Sequence, residues 1–183
     1  MNKLLLFTCC ASCVLPILEY LKDSDFDITL FFDNSNMDTY TEFVKRLNDV
    51  KKVAKIYGCK VVKTEYEHEK WLGFLKSKLD KSLDEYVENG ERCNYCLFFR
   101  SKNTVDYAVK NGYDFVSSTF ITSRYKNAEL VKKTFIDLTQ NINVKFFDIL
   151  GDKNAFYSLG VKLCKKYNVY RQKHCGCEFS KNI

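Results

Sequence analysis

The stretch Leu4-Leu5-Leu6-Phe7-Thr8-Cys9-Cys10-Ala11-Ser12-Cys13 constrains this chain more than any other. Four apolar residues run into three thiols within five positions, and a helical spacing of apolar residues follows at Val14, Ile17, Leu18 and Leu21. The pattern reads as a buried strand over 3–8, a tight turn, and a helix from about Ser12 to Leu21 with Pro16 in its tolerant first turn. That puts the thiols at the carboxyl end of a strand, where open α/β sheets bind ligands. The free amides of a helix N-terminus also favour thiolate over thiol. Four more thiols form two close pairs, Cys93-x-x-Cys96 and Cys175-Gly176-Cys177. These seven cysteines are expected to converge on one redox-active metal centre.

Further strands are predicted at 26–32, 60–64, 115–119 and 144–147. Helices are predicted at about 39–57 (closed by Gly58), 67–88 (in two pieces broken near Gly73), from the Cys93 segment to about 110, 126–140 and 153–167. Strands alternating with helices predict an α/β fold, one catalytic domain over 1–183. Its mostly parallel sheet is flanked by helices in a Rossmann-like or adenine-nucleotide-hydrolase-like layout. Right-handed crossovers place successive strand ends on one edge. The cysteine site is therefore expected at the C-terminal edge of the strands, with Cys9, Cys10, Cys13, Asp33, Asn34, Asn36, Ser118 and Thr119 within reach of one another.

The 183 residues suffice to bury an ordinary core, and one proline with seven glycines leaves no room for a flexible linker. The net charge of +6 suits an RNA partner without requiring one. The apolar run before Cys9 is shorter than an export signal, and no run approaches the roughly 20 residues of a membrane span. A cytoplasmic protein without a membrane partner is expected. Nine cysteines in a reducing compartment point to metal or redox chemistry rather than a disulfide scaffold.

Taken alone, Cys93-x-x-Cys96 is half a structural zinc site, a redox pair, or part of a cluster. Adjacent Cys9 and Cys10 shift the balance, because consecutive side chains diverge and suit a 4Fe–4S cube better than a single zinc ion. Cys9, Cys10, Cys93 and Cys96 would supply its four thiolates. Cys175-Gly176-Cys177 permits a strained, easily reduced disulfide or two ligands to one metal, with His174 as a candidate ligand or acid. Cys59, Cys164 and Trp71 read as core. Tyr125, Tyr170 and Arg171, near Lys126 and Lys173, are candidate stacking and phosphate contacts for an exposed base. There is no Gly-rich phosphate loop, catalytic Ser/His/Asp set or His-x-x-x-His motif.

Three motifs carry a resemblance. Thr8-Cys9-Cys10-Ala11-Ser12-Cys13 resembles the His-Cys-Cys-Ala-Pro-Cys motif of the QueH-type epoxyqueuosine reductases. Gly90-Glu91-Arg92-Cys93-Asn94-Tyr95-Cys96-x-x-x-Arg100 is similar to their Gly-x-Arg-Cys-x-x-Cys segment. Tyr170-Arg171-Gln172-Lys173-His174-Cys175-Gly176-Cys177-Glu178-Phe179-Ser180 resembles their Tyr-Arg-Gln-x-Tyr-Cys-Gly-Cys-x-Phe-Ser ending. The resemblance implies a cobalamin-independent, iron–sulfur oxidoreductase acting on the anticodon loop of tRNA. It would reduce epoxyqueuosine at the wobble position to queuosine with electrons from an external donor.

Carried over by motif, Cys9, Cys10, Cys93 and Cys96 would hold the 4Fe–4S cluster, and Cys175 and Cys177 would form a redox-active pair. The family also implies a second, mononuclear iron beside the cluster. Cys13, the motif thiol left over, is its candidate ligand, completed by Asp33 or by the Cys175/Cys177 pair. Asn34, Asn36, Ser118, Thr119, Tyr125, Lys126 and Arg171 are the candidate substrate contacts.

The chain departs from the family pattern in several places. Thr8 and Ser12 replace a histidine and a proline, Asp33 and Ser35 alter a Tyr-Asn-Pro-Asn turn, and Asp148 to Gly151 replace an Asp-Phe-Lys-Lys segment. Arg124 stands where a proline is usual. The alternative readings are a divergent paralogue acting on another modified tRNA base, a zinc-stabilised RNA-binding module, a metal-free thiol-disulfide oxidoreductase, and an ATP-dependent RNA thiolation enzyme.

Overall fold

Leu4 to Phe7 have almost no solvent exposure because their strand lies inside the sheet, covered on both faces. The computed structural model describes residues 1–180. Five parallel strands, β1 (Asn2–Phe7), β2 (Phe26–Phe32), β3 (Lys60–Lys63), β4 (Phe115–Ser118) and β5 (Lys145–Phe146), lie in the order β3-β2-β1-β4-β5. Six helices connect or follow them: α1 (Ala11–Leu21), α2 (Tyr40–Tyr57), α3 (His68–Lys76), α4 (Glu91–Lys110), α5 (Ala128–Thr139) and α6 (Lys153–Tyr167). The mostly parallel, helix-flanked sheet expected from the alternation is present.

Strand alternation divides the core. Leu4, Leu6, Ile28, Leu30 and Phe32 pack against α1, α2 and α6, while Leu5, Phe7, Phe31 and Val116 pack against α4 and α5. After β3 the chain returns to the other side of β1, so the direction of strand addition reverses between β1 and β4. Such a reversal opens a crevice between the loops that follow the two strands. Gly58 closes α2 as expected, with a left-handed φ of 68° and its N–H bonded to the Ala54 carbonyl. Among the described residues no helix is long and apolar enough to cross a membrane.

Two expectations need correction. The 67–88 segment is helical only over His68–Lys76, running straight through Gly73 and ending at Ser77. Beyond it lies irregular chain with one 3₁₀ turn, Leu83–Glu85, fixed by a reciprocal Ser82/Glu85 capping box. Leu75, Leu79 and Leu83 imitate helical spacing but bury themselves with Trp71 and Cys177 in a separate small cluster.

Pro16 lies past the first turn, because α1 starts at Ala11 with Cys10 as its N-cap. Proline has no N–H to offer the Ser12 carbonyl four residues back, and α6 comes close at that point. A Cβ on Gly160 would sit 3.0 Å from the Ser12 oxygen and 3.5 Å from Pro16 Cγ. Gly160→Val is therefore expected to cost about 1–3 kcal/mol by forcing the two helices apart, seen as a lower midpoint in thermal unfolding.

Candidate metal centre

The turn after β1 brings its three thiols together. Cys9 Sγ and Cys10 Sγ are 3.6 Å apart, and with Cys13 Sγ all three lie within 4.8 Å of one another. The turn is held from the residue that follows β4, where the Cys9 N–H donates to Thr119 Oγ1 at 3.3 Å and that hydroxyl donates to Cys9 Sγ at 3.4 Å. It is held also from the C-terminal segment. Gln172 Nε2 donates to Cys10 Sγ at 2.7 Å, while Ser12 Oγ donates to Gln172 Oε1 at 3.1 Å.

The other four thiols line an adjoining space. Cys93 and Cys96 face it from the first turns of α4, and Cys175 and Cys177 from the C-terminal segment, around a small cavity of about 50 Å³ that Trp71 and Asn36 also line. A larger cavity of about 830 Å³ is lined by Cys9, Cys13 and again Cys175. Asn89, Arg100, Phe120 and Lys126 form walls of both. The compact group of possible metal ligands among the described residues is Cys9, Cys10 and Cys13.

Two buried arginines and a half-buried lysine surround the sulfurs. Arg46 is anchored by Glu42 at 2.7 Å and donates to the carbonyls of Cys175 and His174. Arg100, 3% exposed, donates to Asn34 Oδ1 and lies between the rings of Phe7 and Phe120, 4.8 Å from each centroid. Lys126 reaches Asn89 at 3.5 Å. Burial works against its charge, yet the nearby Cys175, Cys93 and Cys96 hold its pKa above the usual lysine value.

The thiols divide their protons accordingly. The hydrogen bond with Cys10 pushes Cys9 up to about 12. Cys10 is held well below the ordinary thiol value: burial opposes this, but hydrogen bonds with Cys13, Cys9 and Ser12 and the charge of Arg46 outweigh it. Cys175 is lowered by its hydrogen bond with Cys177, helped by Lys126 and Arg100, and Cys177 is pushed up in return. Each group thus favours one thiolate beside retained protons.

The C-terminal segment follows a tight path. Gly176 has φ +117°, its carbonyl accepts from the Asp38 N–H at 3.0 Å, and a Cβ there would meet the Arg46 guanidinium at 3.1 Å. Gly176→Ala is expected to destabilise the protein by about 1–3 kcal/mol, read as a lower unfolding midpoint and faster proteolysis next to Cys175.

The remaining candidates are spread around this centre. Asn34 links the Thr8 carbonyl to Arg100. Asn36 lines the smaller cavity with its buried Oδ1 unpartnered. Ser118 Oγ accepts from the Phe120 N–H. Tyr125, Lys126, Arg171 and His174 line the larger cavity. Asp33 lines neither cavity: its two oxygens accept from Thr64 at 3.0 Å and Asn103 at 2.8 Å, and burial raises its pKa. Cys59 packs against the core, as does the buried Cys164, and Trp71 is 1% exposed.

Sequence reasoning assigned no role to Arg46, Arg100, Gln172 or Tyr157. Arg100 was accessible, since it follows Cys96 by four residues and so shares its helix face. The other three owe their positions to long-range packing that no local pattern encodes.

Comparisons with known proteins fit this arrangement. A family model described as Epoxyqueuosine reductase QueH matches residues 4–183. An epoxyqueuosine reductase QueH from Staphylococcus epidermidis is 33% identical over 184 residues, covering 97% of this chain and 76% of the relative. One from Thermotoga maritima is 32% identical, covering 98% and 91% respectively. Among solved structures, the U34-tRNA thiolase NcsA from Methanococcus maripaludis, described with its [4Fe-4S] cluster, superposes with a TM-score of 0.58 at 16% identity. That match covers 98% of this chain and 62% of the thiolase, and it shows a shared fold.

Proposed function

Because this chain belongs to the QueH epoxyqueuosine reductase family, we propose that it reduces epoxyqueuosine at the wobble position of tRNA to queuosine. In this reading residues 1–183 act as one cytoplasmic catalytic domain, with an iron–sulfur centre at the carboxyl edge of the strands. The observation that carries it is the convergence of thiols from three distant segments on two adjoining cavities.

The donor set suits such a centre. The candidate ligands are all sulfur, as an iron–sulfur cluster requires, and three cations stand near to offset anionic thiolates. The buried Trp71 Nε1 and Arg100 Nε have no hydrogen-bond partner, leaving donors for sulfur. Cys9, Cys10, Cys93 and Cys96 would hold a 4Fe–4S cluster. Cys13 would face a second iron, with the Cys175/Cys177 pair as its other candidate ligands; Asp33, whose oxygens are taken by Thr64 and Asn103 away from both cavities, is not among them. When bound, this centre supplies electrons from an external donor and a Lewis-acidic iron for the epoxide oxygen.

The protein's own groups orient the base and manage protons. Net reduction adds two electrons and two protons, converts the epoxide to an alkene and releases water. Cys175 and Cys177 stand together on the smaller cavity as the candidate redox-active pair, with Cys175 the one that favours thiolate. The unpartnered Asn36 Oδ1 is an acceptor for a substrate hydroxyl, while Asn34, Ser118 and Thr119 fix the loops around it. Lys126 adds positive charge where an oxyanion would develop.

The wall of the larger cavity matches a polyanion. Arg46, Arg100, Arg124, Lys126, Arg171 and Lys173 line it, against the single carboxylate Glu88. Affinity for an anticodon stem-loop is expected to fall about tenfold or more between 50 and 200 mM salt, measured by fluorescence anisotropy.

The deciding assay supplies anaerobically reconstituted protein and a strong reductant to tRNA bearing epoxyqueuosine, then weighs the released nucleoside. A product lighter by one oxygen is expected. An unchanged mass with fully loaded protein would overturn the reading.

A further inference from the structure

At the mouth of the larger cavity, Arg124 and Tyr157 have no role assigned above beyond the positive charge of the wall. Arg124 lays its guanidinium over the Tyr157 ring, Cζ 4.1 Å from the centroid, and lies 5.3 Å from the Tyr125 ring. Tyr157, from α6, is fixed in turn. Its hydroxyl accepts from Arg171 Nη2 at 3.1 Å, and Tyr125 meets it nearly edge-on at 77°. Tyr125 is 61% exposed, Arg124 is also exposed, and all four residues line the larger cavity.

Neither arginine is neutralised. Among the described residues, no carboxylate pairs with Arg124 or Arg171. A guanidinium backed by an aromatic ring presents a flat, cationic and weakly hydrated outer face. Unpaired RNA bases stack on such planes. Structural anchoring does not call for two unpaired, exposed arginines around one ring.

We propose that Arg124, backed by Tyr157, is a stacking platform for an unpaired anticodon-loop base flanking the one that enters the cavity. Tyr157 acts as a positioning residue, holding the guanidinium plane outward. Arg171 fixes Tyr157 and adds charge for the neighbouring phosphate. The inference rests on the tRNA reading and deepens it by naming a second nucleotide subsite.

The test separates stacking from charge. A stem-loop RNA carries 2-aminopurine at each loop position flanking the wobble base in turn, and quenching of its fluorescence reports stacking. With the native protein, quenching is expected at one flanking position. R124K keeps the charge and loses the plane, so quenching should vanish and affinity fall about tenfold, to the level of R124A. Y157A should act likewise, while Y157F keeps the ring but loses the hydroxyl that accepts from Arg171, so it should retain quenching with a smaller loss of affinity. KM should rise in R124K and kcat should hold.

Native-like quenching and affinity in R124K, with epoxyqueuosine still converted, would overturn the platform and leave the proposed function standing. Quenching at neither flanking position would do the same. Failure of the native protein to bind the stem-loop would overturn both.

Discussion

Replacing Cys96 with alanine is expected to leave the fold intact, strip iron from the reconstituted protein and lower turnover at least about a thousandfold. Cys96 lies in the second turn of α4, where alanine is the best helix former. Burial raises its pKa, against the charge of Arg100 and the neighbouring Trp71 side chain, which lower it. Loss of that sulfur therefore removes little from the apo fold while taking away one of the four thiolates assigned to the cluster. Cys9→Ala should behave alike in iron content, but with some loss of stability, because Cys9 Sγ is bonded to Thr119 and touches Cys10. Cys59→Ala serves as the internal control. Cys59 lines neither cavity, so that variant should reconstitute with native iron and native turnover. Equal iron content in all three proteins would remove the assigned ligands from the account.

The second large effect is expected at Arg100. Arg100→Met should lower stability by about 1–3 kcal/mol, the range for leaving a buried acceptor, here Asn34 Oδ1, without its donor. For a chain of this length that is a fall of roughly 2–12 °C in the unfolding midpoint. Three losses combine. Asn34 loses the donor to its Oδ1, the packing between Phe7 and Phe120 loses its planar filler, and the cation that favours ionised Cys175 and Asp33 is gone. The loaded protein should also show a more negative reduction potential, since a nearby positive charge favours the reduced, more anionic cluster. Arg100→Lys should recover part of the potential and little of the stability, because lysine keeps the charge but cannot fill the plane between the rings. A Met variant with native midpoint and native potential would contradict this role.

Elements governed by local periodicity were legible in the sequence. The run Leu4 to Phe7 reads as a strand covered on both faces because it is one, and Gly58 ends its helix through a backbone conformation few other residues accept. The grouping of Cys9, Cys10 and Cys13 was legible because three thiols within five positions of a strand-to-helix turn are brought together by local geometry. Residues 77–88 misled because leucines four apart satisfy a helix and a looped hydrophobic cluster equally well. Pro16 misled by a single residue of helix boundary, enough to move it from the first turn to a packing notch for α6. Arg46 and Tyr157 were silent, and Gln172 stood in a motif that gave it no role. Each acts on a partner more than 25 positions away, and only the assembled sheet brings Gln172 back over Cys10 or places Arg46 beneath Gly176.

The central claim is that thiols from the β1–α1 turn, from α4 and from the C-terminal segment serve one iron–sulfur centre. The most direct measurement is the iron, zinc and acid-labile sulfide content of protein purified without oxygen. About four sulfides with four to five irons per chain, and no zinc, is the expected result. About one zinc per chain without sulfide would contradict it.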